Sequence, residues 1–239
     1  MNRKLVWVGF IAGIIMVCLT VTPALANSTN QLGSWSLSAD YHFTIAEWGW
    51  DLDLNCNYEG WLWVTAVDKG DATWFGHIGV AETDNWNWDN VGTEADVDLY
   101  NFGAGVRHRI VGPLAFGIEA DLHALKGVDA VAFQLYSGNL MVGPIISKDV
   151  DMLLGTWTLK AHAMVGPGLQ MASATHHDTH TFCGVAVDMG AELGYLLFDT
   201  LGVSASINQK YEMSPWGEGS SNLYSSDQLA YVFSGVLRF

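Results

Sequence analysis

The sequence predicts an all-β protein, an antiparallel transmembrane β-barrel of about ten strands, from three observations. Apolar and polar residues alternate with a period of two along nearly the whole chain after residue 26. Such alternation indicates strands with one apolar face. Only 15% of the residues are charged, whereas 12% are aromatic. The alternation continues through the last stretch, 228–239, to a final aromatic residue, Phe239.

The first 26 residues have the features of a secretory signal peptide. Arg3 and Lys4 precede an apolar run at 5–18, and Ala24 and Ala26 occupy the minus-three and minus-one positions of a cleavage site. A permanent anchor is the alternative, but the run is shorter than the ~20 residues that a spanning helix needs. We therefore expect cleavage after Ala26 and one barrel domain over 27–239.

The charge balance of the chain argues against nucleic acid as a partner. Removal of residues 1–26 takes away Arg3 and Lys4, so the net charge changes from -15 to -15 - 2 = -17 on 239 - 26 = 213 residues. Phosphate binding requires clustered Lys and Arg, which this polyanionic chain does not have. No phosphate loop or nucleophile elbow is present, so no cofactor is expected.

Ten strands are predicted, and their connections alternate in length. The strands lie near 32–45, 49–66, 73–82, 95–111, 113–125, 129–146, 153–169, 181–197, 201–212 and 227–239. The connections after even-numbered strands are mostly short and those after odd-numbered strands mostly longer, as expected if both termini lie in the periplasm. Alternation is interrupted at Gly60, which we interpret as a β-bulge. Counts of eight or twelve strands are also compatible with this pattern.

We assign the apolar phase of each strand to the lipid and the polar phase to the lumen. Cys56 and Cys183 then face lipid and stay unpaired. A barrel of eight to ten strands is nearly filled by side chains, so the inward ionisable residues should pair with one another. These residues are Asp40, His42, Asp51, Asp53, Arg107, Arg109, Glu119, Asp121, His123, Lys160, His162, Asp188 and Glu192.

The C-terminal stretch "YVFSGVLRF" resembles the insertion signal of bacterial outer-membrane β-barrels. The matching positions are Tyr231, Phe233, Gly235, Leu237 and Phe239. This resemblance implies a Gram-negative outer-membrane protein that contacts lipid and, during biogenesis, the barrel assembly machinery and periplasmic chaperones. Segments around 60–70 and 99–127 are similar to poorly characterised small barrel families, which imply the fold and no activity. We expect a monomer.

Two short carboxylate motifs resemble those of the omptin proteases. Asp51 and Asp53 form an Asp-x-Asp pair, and Asp121 and His123 form an Asp-x-His pair. In omptins, which are ten-stranded outer-membrane barrels, such pairs at the outer rim activate water. His123 lies near the outer end of an upward strand and Asp51 near the start of a downward one, so their heights could match.

A histidine-rich stretch, "ATHHDTHTF", is the one candidate metal site. Its three imidazoles and one carboxylate could ligate zinc or copper, but the cluster has no fixed ligand spacing. We interpret His176, His177, Asp178 and His180 as part of a solvated loop without metal.

The favoured function is therefore a non-enzymatic barrel of structural or surface-interaction type. The alternatives are a narrow porin-like channel and an omptin-like protease.

Overall fold

The strands of this protein close into a barrel. The computed structural model describes residues 28–83, 86–88, 96–128, 133–174, 177–217 and 223–239. The strands are β1 (Ser28–Ile45), β2 (Trp50–Lys69), β3 (Ala72–Thr83), β4 (Trp86–Trp88), β5 (Asp96–Val111), β6 (Leu114–Val128), β7 (Gln134–Met152), β8 (Gly155–Ser173), β9 (His180–Leu197), β10 (Leu201–Gly217) and β11 (Leu223–Arg238).

Pairing of the first and last strands closes the sheet. The strand order is β1-β11-β10-β9-β8-β7-β6-β5-β3-β2, and β1 also pairs with β2. Ten antiparallel strands therefore form the ring, which confirms the predicted fold class and strand number. The short β4 pairs with residues 54–56 of β2, where β2 extends beyond the end of β3.

The register of the strands sets the dimensions of the barrel. The shear is obtained by moving from each residue to its paired residue on the next strand. The path starts at Gly138 on β7, passes through β6 and the other strands in turn, and returns to β7 at Val150, a displacement of 150 - 138 = 12 residues. With strands about 4.8 Å apart and a rise of about 3.3 Å per residue, this shear corresponds to a tilt of about 40° and a radius of about 10 Å. Each residue therefore rises about 2.5 Å along the barrel axis.

The two ends of the barrel differ in their connections. Tight turns at 70–71, 112–113, 153–154 and 198–200 lie at one end. β1 begins and β11 ends at this short-turn end, where the Phe239 N–H donates to the Ser28 carbonyl at 2.9 Å. In outer-membrane barrels the short turns are periplasmic. β7 runs through to Met152, so residues 147–152, which lie between two predicted strands, belong to a regular strand.

The described residues contain one helix, a 3-10 turn at Ala46–Trp48. Among the described residues, no helix is long and apolar enough to cross a membrane.

The lower part of the barrel, towards the short-turn end, has an apolar outer wall. Large exposed apolar side chains occur on strands around the ring. Examples are Trp74, Phe102, Leu122, Leu140, Val165, Leu193, Val203 and Phe233. A continuous apolar surface of this size is stable only against an apolar medium. On β2 the mostly apolar outward-facing residues run from Trp61 to Val67, about 15 Å along the axis, which lies within the ~25 Å apolar band of outer-membrane barrels.

The polarity of the wall inverts above Gly60. In β1 the apolar phase from Trp35 to Ile45 is buried inside the barrel, while Ser36, Ser38 and Asp40 are exposed outside. The first half of β2 follows the same pattern, with Leu54 buried inside. The expectation that the apolar phase faces lipid is therefore wrong for these two strand segments. A polar outer face of this kind is stable against water rather than against lipid.

The interruption at Gly60 is this inversion, and the predicted bulge is wrong. β2 keeps a continuous register with β1 and with β3 through Gly60. Trp61 is exposed on the outer face, whereas Tyr58 is buried on the inner face. The apolar residues thus change faces while the backbone pairing continues unchanged. An exposed tryptophan at this height suits the aromatic girdle at a membrane interface.

Candidate functional site

The lumen contains a buried ionic layer centred on Lys210 of β10. Its ammonium lies 2.5 Å from Asp121 Oδ2 and 3.2 Å from Glu212 Oε1. All three residues are buried, Glu212 completely. A buried charge is stable only if it is paired and hydrogen-bonded, so this cluster must be satisfied internally.

Each carboxylate of the layer has further partners. Glu212 accepts hydrogen bonds from Ser137 Oγ at 2.9 Å, Asn139 Nδ2 at 2.6 Å and Tyr224 Oη at 2.8 Å. Asp121 accepts one from Asn101 Nδ2 at 2.9 Å. The network therefore ties strands β5, β6, β7, β10 and β11 together across the lumen.

His123 is part of this network. Its Nε2 lies 2.9 Å from Gln228 Oε1, and its Nδ1 lies 3.5 Å from Asp121 Oδ2. A second imidazole, His77, places Nε2 3.4 Å from Asp121 Oδ1. The geometry suits a structural role in which both histidines stabilise the Asp121 carboxylate.

An apolar plug fills the lumen above the ionic layer. Phe43 lies at its centre, with ring centroids 5.1 Å from Tyr224 and 5.5 Å from Phe133. The plug also includes Tyr41, Ile45, Leu54, Cys56, Tyr58, Leu99, Leu125, Leu135 and Phe182. These side chains come from strands around the ring and are buried, so the barrel is closed towards its long-loop end.

Below the ionic layer the lumen is a cavity of about 560 Å³. Its lining reaches Gly70, Gly112 and Pro113 in the short turns, so it opens at the short-turn end. Ion pairs join strands of its wall, two of them between the neighbours β8 and β9 and one between β3 and β6. They are Lys160 Nζ–Glu192 Oε2 at 3.1 Å, His162 Nε2–Asp188 Oδ2 at 3.2 Å and His77 Nδ1–Glu119 Oε1 at 3.8 Å.

Most of the ionisable residues predicted to face inward do so. Arg107, Arg109, Glu119, Asp121, His123, Lys160, His162, Asp188 and Glu192 line the cavity. The predicted internal pairing is confirmed for those with the ion pairs given above. Lys210 and Glu212 were missed, although Asn208, Lys210 and Glu212 alternate regularly with Ile207, Gln209, Tyr211 and Met213.

The predicted inward placement of His42 and of the acids on the first two strands is wrong. Asp51 and Asp53 lie outside the barrel, where Asp53 Oδ1 is 2.6 Å from His42 Nδ1. Asp40 is also outside and accepts a hydrogen bond from Asn55. His123 is inside, so the barrel wall separates the two motifs that resemble those of omptins. The structure does not assemble the predicted water-activating site.

The other two candidate features differ in outcome. Cys56 is buried in the plug, so its predicted lipid-facing position is wrong, whereas Cys183 is exposed on the outer face. Both thiols are free, as expected. His176 of the histidine-rich stretch lies outside the described residues. Within the described ranges, no group of three or more His, Cys, Asp or Glu side chains could hold a metal ion.

Comparison with known proteins supports the fold alone. The sequence matches no protein-family model and no curated protein. The structure is similar to that of the outer membrane protease OmpT from Escherichia coli, with 10% identity, 90% of this chain and 97% of that chain covered, and a TM-score of 0.58. This chain has the fold of an outer-membrane β-barrel.

Two other outer-membrane barrels align over most of their length with lower TM-scores. The translocator domain of the autotransporter NalP from Neisseria meningitidis has 10% identity, 99% and 98% coverage and a TM-score of 0.41. The Pseudomonas putida toluene transporter TodX has 9% identity, 92% coverage of each chain and a TM-score of 0.36. At these identities the likeness carries no activity to this chain.

The residues of the C-terminal motif lie on the outer wall of this barrel. Tyr231, Phe233 and Phe239 are exposed there, and Gly235 and Leu237 share their face of β11. The sequence thus ends in a paired strand with an apolar outer face.

Proposed function

We propose that this chain is a closed, non-enzymatic outer-membrane barrel of structural or surface-interaction type. The observation that carries the proposal is the closure of the lumen by the Phe43 plug and the Lys210 layer beneath it. Ions and polar solutes need a hydrated path, and a plug of buried aromatic and aliphatic side chains excludes water from that path. The closure argues against the narrow porin-like channel.

The outward-facing polar wall supplies a surface for interaction. Asp51, Asp53 and Glu59 line the outer face of β2, and Glu59 is paired in register with Glu82 of β3. Glu82 is in turn paired with Asp98 of β5. Adjacent carboxylates repel one another and are tolerated in water rather than in lipid. This acidic wall would stand beyond the outer leaflet and would favour cationic partners over polyanions.

Planar-bilayer recording tests the closure. Wild-type protein should give no stepwise currents, because the plug and the ionic layer block the lumen. The double variant Phe43→Ala/Tyr224→Ala removes two rings from the plug and provides a matched control, for which we expect intermittent steps. Regular stepwise conductance of the wild-type barrel would contradict the proposal and favour the porin-like alternative.

The cellular location and biogenesis follow from the same proposal. We propose export with removal of residues 1–26, insertion by the barrel assembly machinery with help from periplasmic chaperones, and a monomer in the outer membrane. Heat-modifiable gel migration of the membrane fraction and the N-terminal sequence of the mature protein test these steps. Recovery of the whole protein from the soluble periplasm would rule the location out.

A further inference from the structure

Arg107 of β5 is a half-buried cation in the cavity wall, and its guanidinium forms no ion pair with the described residues. Its Nε is buried and has no hydrogen-bond partner among the described residues. Those residues also place no carboxylate oxygen within 4.0 Å of its guanidinium. The guanidinium carbon lies 4.2 Å from the centre of the Phe75 ring. Phe75 therefore covers one face of the guanidinium, and the buried Nε–H remains without an acceptor.

The nearby acids are engaged with other cations. Glu119 and Glu192 line the same cavity as Arg107. Glu192 pairs with Lys160 at 3.1 Å and accepts a hydrogen bond from Gln31 at 3.0 Å. Glu119 lies 3.8 Å from His77 Nδ1. A buried N–H of a guanidinium without an acceptor is costly, and an anion that enters the cavity would supply that acceptor.

The cavity beside Arg107 has the size and wall of a ligand site. Its volume of about 560 Å³ falls in the range of small-molecule sites, ~300 to 1,000 Å³. Apolar side chains form part of the cavity wall, namely Trp35, Leu62, Val64, Phe75, Ile145 and Met164. The cavity therefore presents Arg107 beside an apolar surface, and it opens at the short-turn end. The lining also contains other charged side chains, and its carboxylates Glu119, Asp121, Asp188 and Glu192 are each paired with a lysine or a histidine.

We propose that this cavity binds a small anion with a compact apolar body, a carboxylate or a phosphate monoester, that enters from the periplasm. The anionic head would accept hydrogen bonds from the Arg107 guanidinium, whose planar fork matches both carboxylate and phosphate oxygens. The apolar body would pack against the side of the cavity that contains Trp35 and Leu62. The closed outer end makes this a binding site rather than a step of a transmembrane path.

Equilibrium dialysis with folded mature protein in detergent tests the site. The probes are benzoate and phenyl phosphate, which share an aromatic body and distinguish the two head groups, and benzyl alcohol and benzylamine, which lack the anion. Wild-type protein should bind at least one anionic probe at least tenfold more tightly than either non-anionic probe. Equal binding of all four probes, or no binding of the anions, would overturn the proposal without the need for any variant.

Variants locate the binding to Arg107. Arg107→Gln should weaken binding of the anionic probe at least tenfold, and Arg107→Lys should weaken it less because the charge is kept. Lys148→Gln removes the same charge from the exposed outer wall of β7 and should leave affinity within twofold of wild type. Gel migration before and after heating verifies that each variant is folded. Unchanged affinity of folded Arg107→Gln would refute the assignment.

Discussion

Replacement of Lys210 by methionine should destabilise the barrel strongly, because it removes the cation shared by two buried carboxylates. Lys210 lies 2.5 Å from Asp121 and 3.2 Å from Glu212, and Glu212 has no exposed surface. Removal of one partner from a buried ion pair costs about 3–5 kcal/mol, because the remaining charge is left uncompensated. We expect a loss of this size in the free energy of unfolding.

A matched control separates burial from charge. Lys160 also pairs with a glutamate, Glu192, at 3.1 Å, but their side chains are 30% and 22% exposed in the open cavity. Water can solvate the carboxylate left behind, so Lys160→Met should cost only about 1 kcal/mol. The triple variant Lys210→Met/Asp121→Asn/Glu212→Gln carries no charge in the layer and should recover most of the loss.

The assay is equilibrium unfolding of detergent-folded mature protein in urea or guanidinium, followed by tryptophan fluorescence and by gel migration. Both probes should report the same transition if unfolding is two-state. The reasoning fails if Lys210→Met is no less stable than Lys160→Met. It also fails if the triple variant is as unstable as Lys210→Met, because the loss would then reflect packing rather than uncompensated charge.

Three further predictions concern the C-terminal strand, the plug and the absent hydrolytic site. Phe239→Ser should reduce the assembled yield in cells more than Phe233→Ser does. Each variant should lower the free energy of unfolding in detergent by at most about 1.5–3 kcal/mol, since only apolar burial is lost. Equal effects in cells would make Phe239 an ordinary interfacial aromatic. A water-soluble maleimide should label Cys183 of the folded protein, and it should label Cys56 only after denaturation. Mass spectrometry of the labelled peptides measures this, and fast labelling of Cys56 in the folded state would mean that the plug is open. A peptide-cleavage assay should show no difference between wild type and His123→Ala, because the barrel wall separates His123 from the exposed aspartates of β2; activity lost specifically in the variant would contradict this.

Strand positions were readable from the sequence because period two is a local property. The alternation around Trp35 to Ile45 predicts β1 whichever face is buried, and the observed strand ends at Ile45. The terminal stretch that ends in Phe239 likewise predicts a strand with an apolar outer face. Ten strands and the short turns at one end follow from the same local pattern.

The side of the wall on which each residue lies could not be read from alternation alone. An apolar face can pack against lipid or against a filled lumen, and both give the same sequence pattern. The change at Gly60 was visible, since Tyr58 and Trp61 stand on opposite phases, but a bulge and a change of solvent predict the same interruption. The continuous register of β2 with both neighbours excludes the bulge.

The sequence by itself determined that this chain forms an amphipathic antiparallel barrel, because backbone geometry makes alternation a property of each strand. Only the tertiary structure decided which groups meet inside it. Lys210 and Asp121 are 89 residues apart in the chain, and their contact depends on ring closure and on the shear of the strands. In the closed ring Asp51 and Asp53 lie on the outer face, whereas Arg107 lies in the cavity. Neighbouring residues of a strand point to opposite faces, so the face on which a residue lies decides whether its side chain meets the lumen or the surroundings of the barrel.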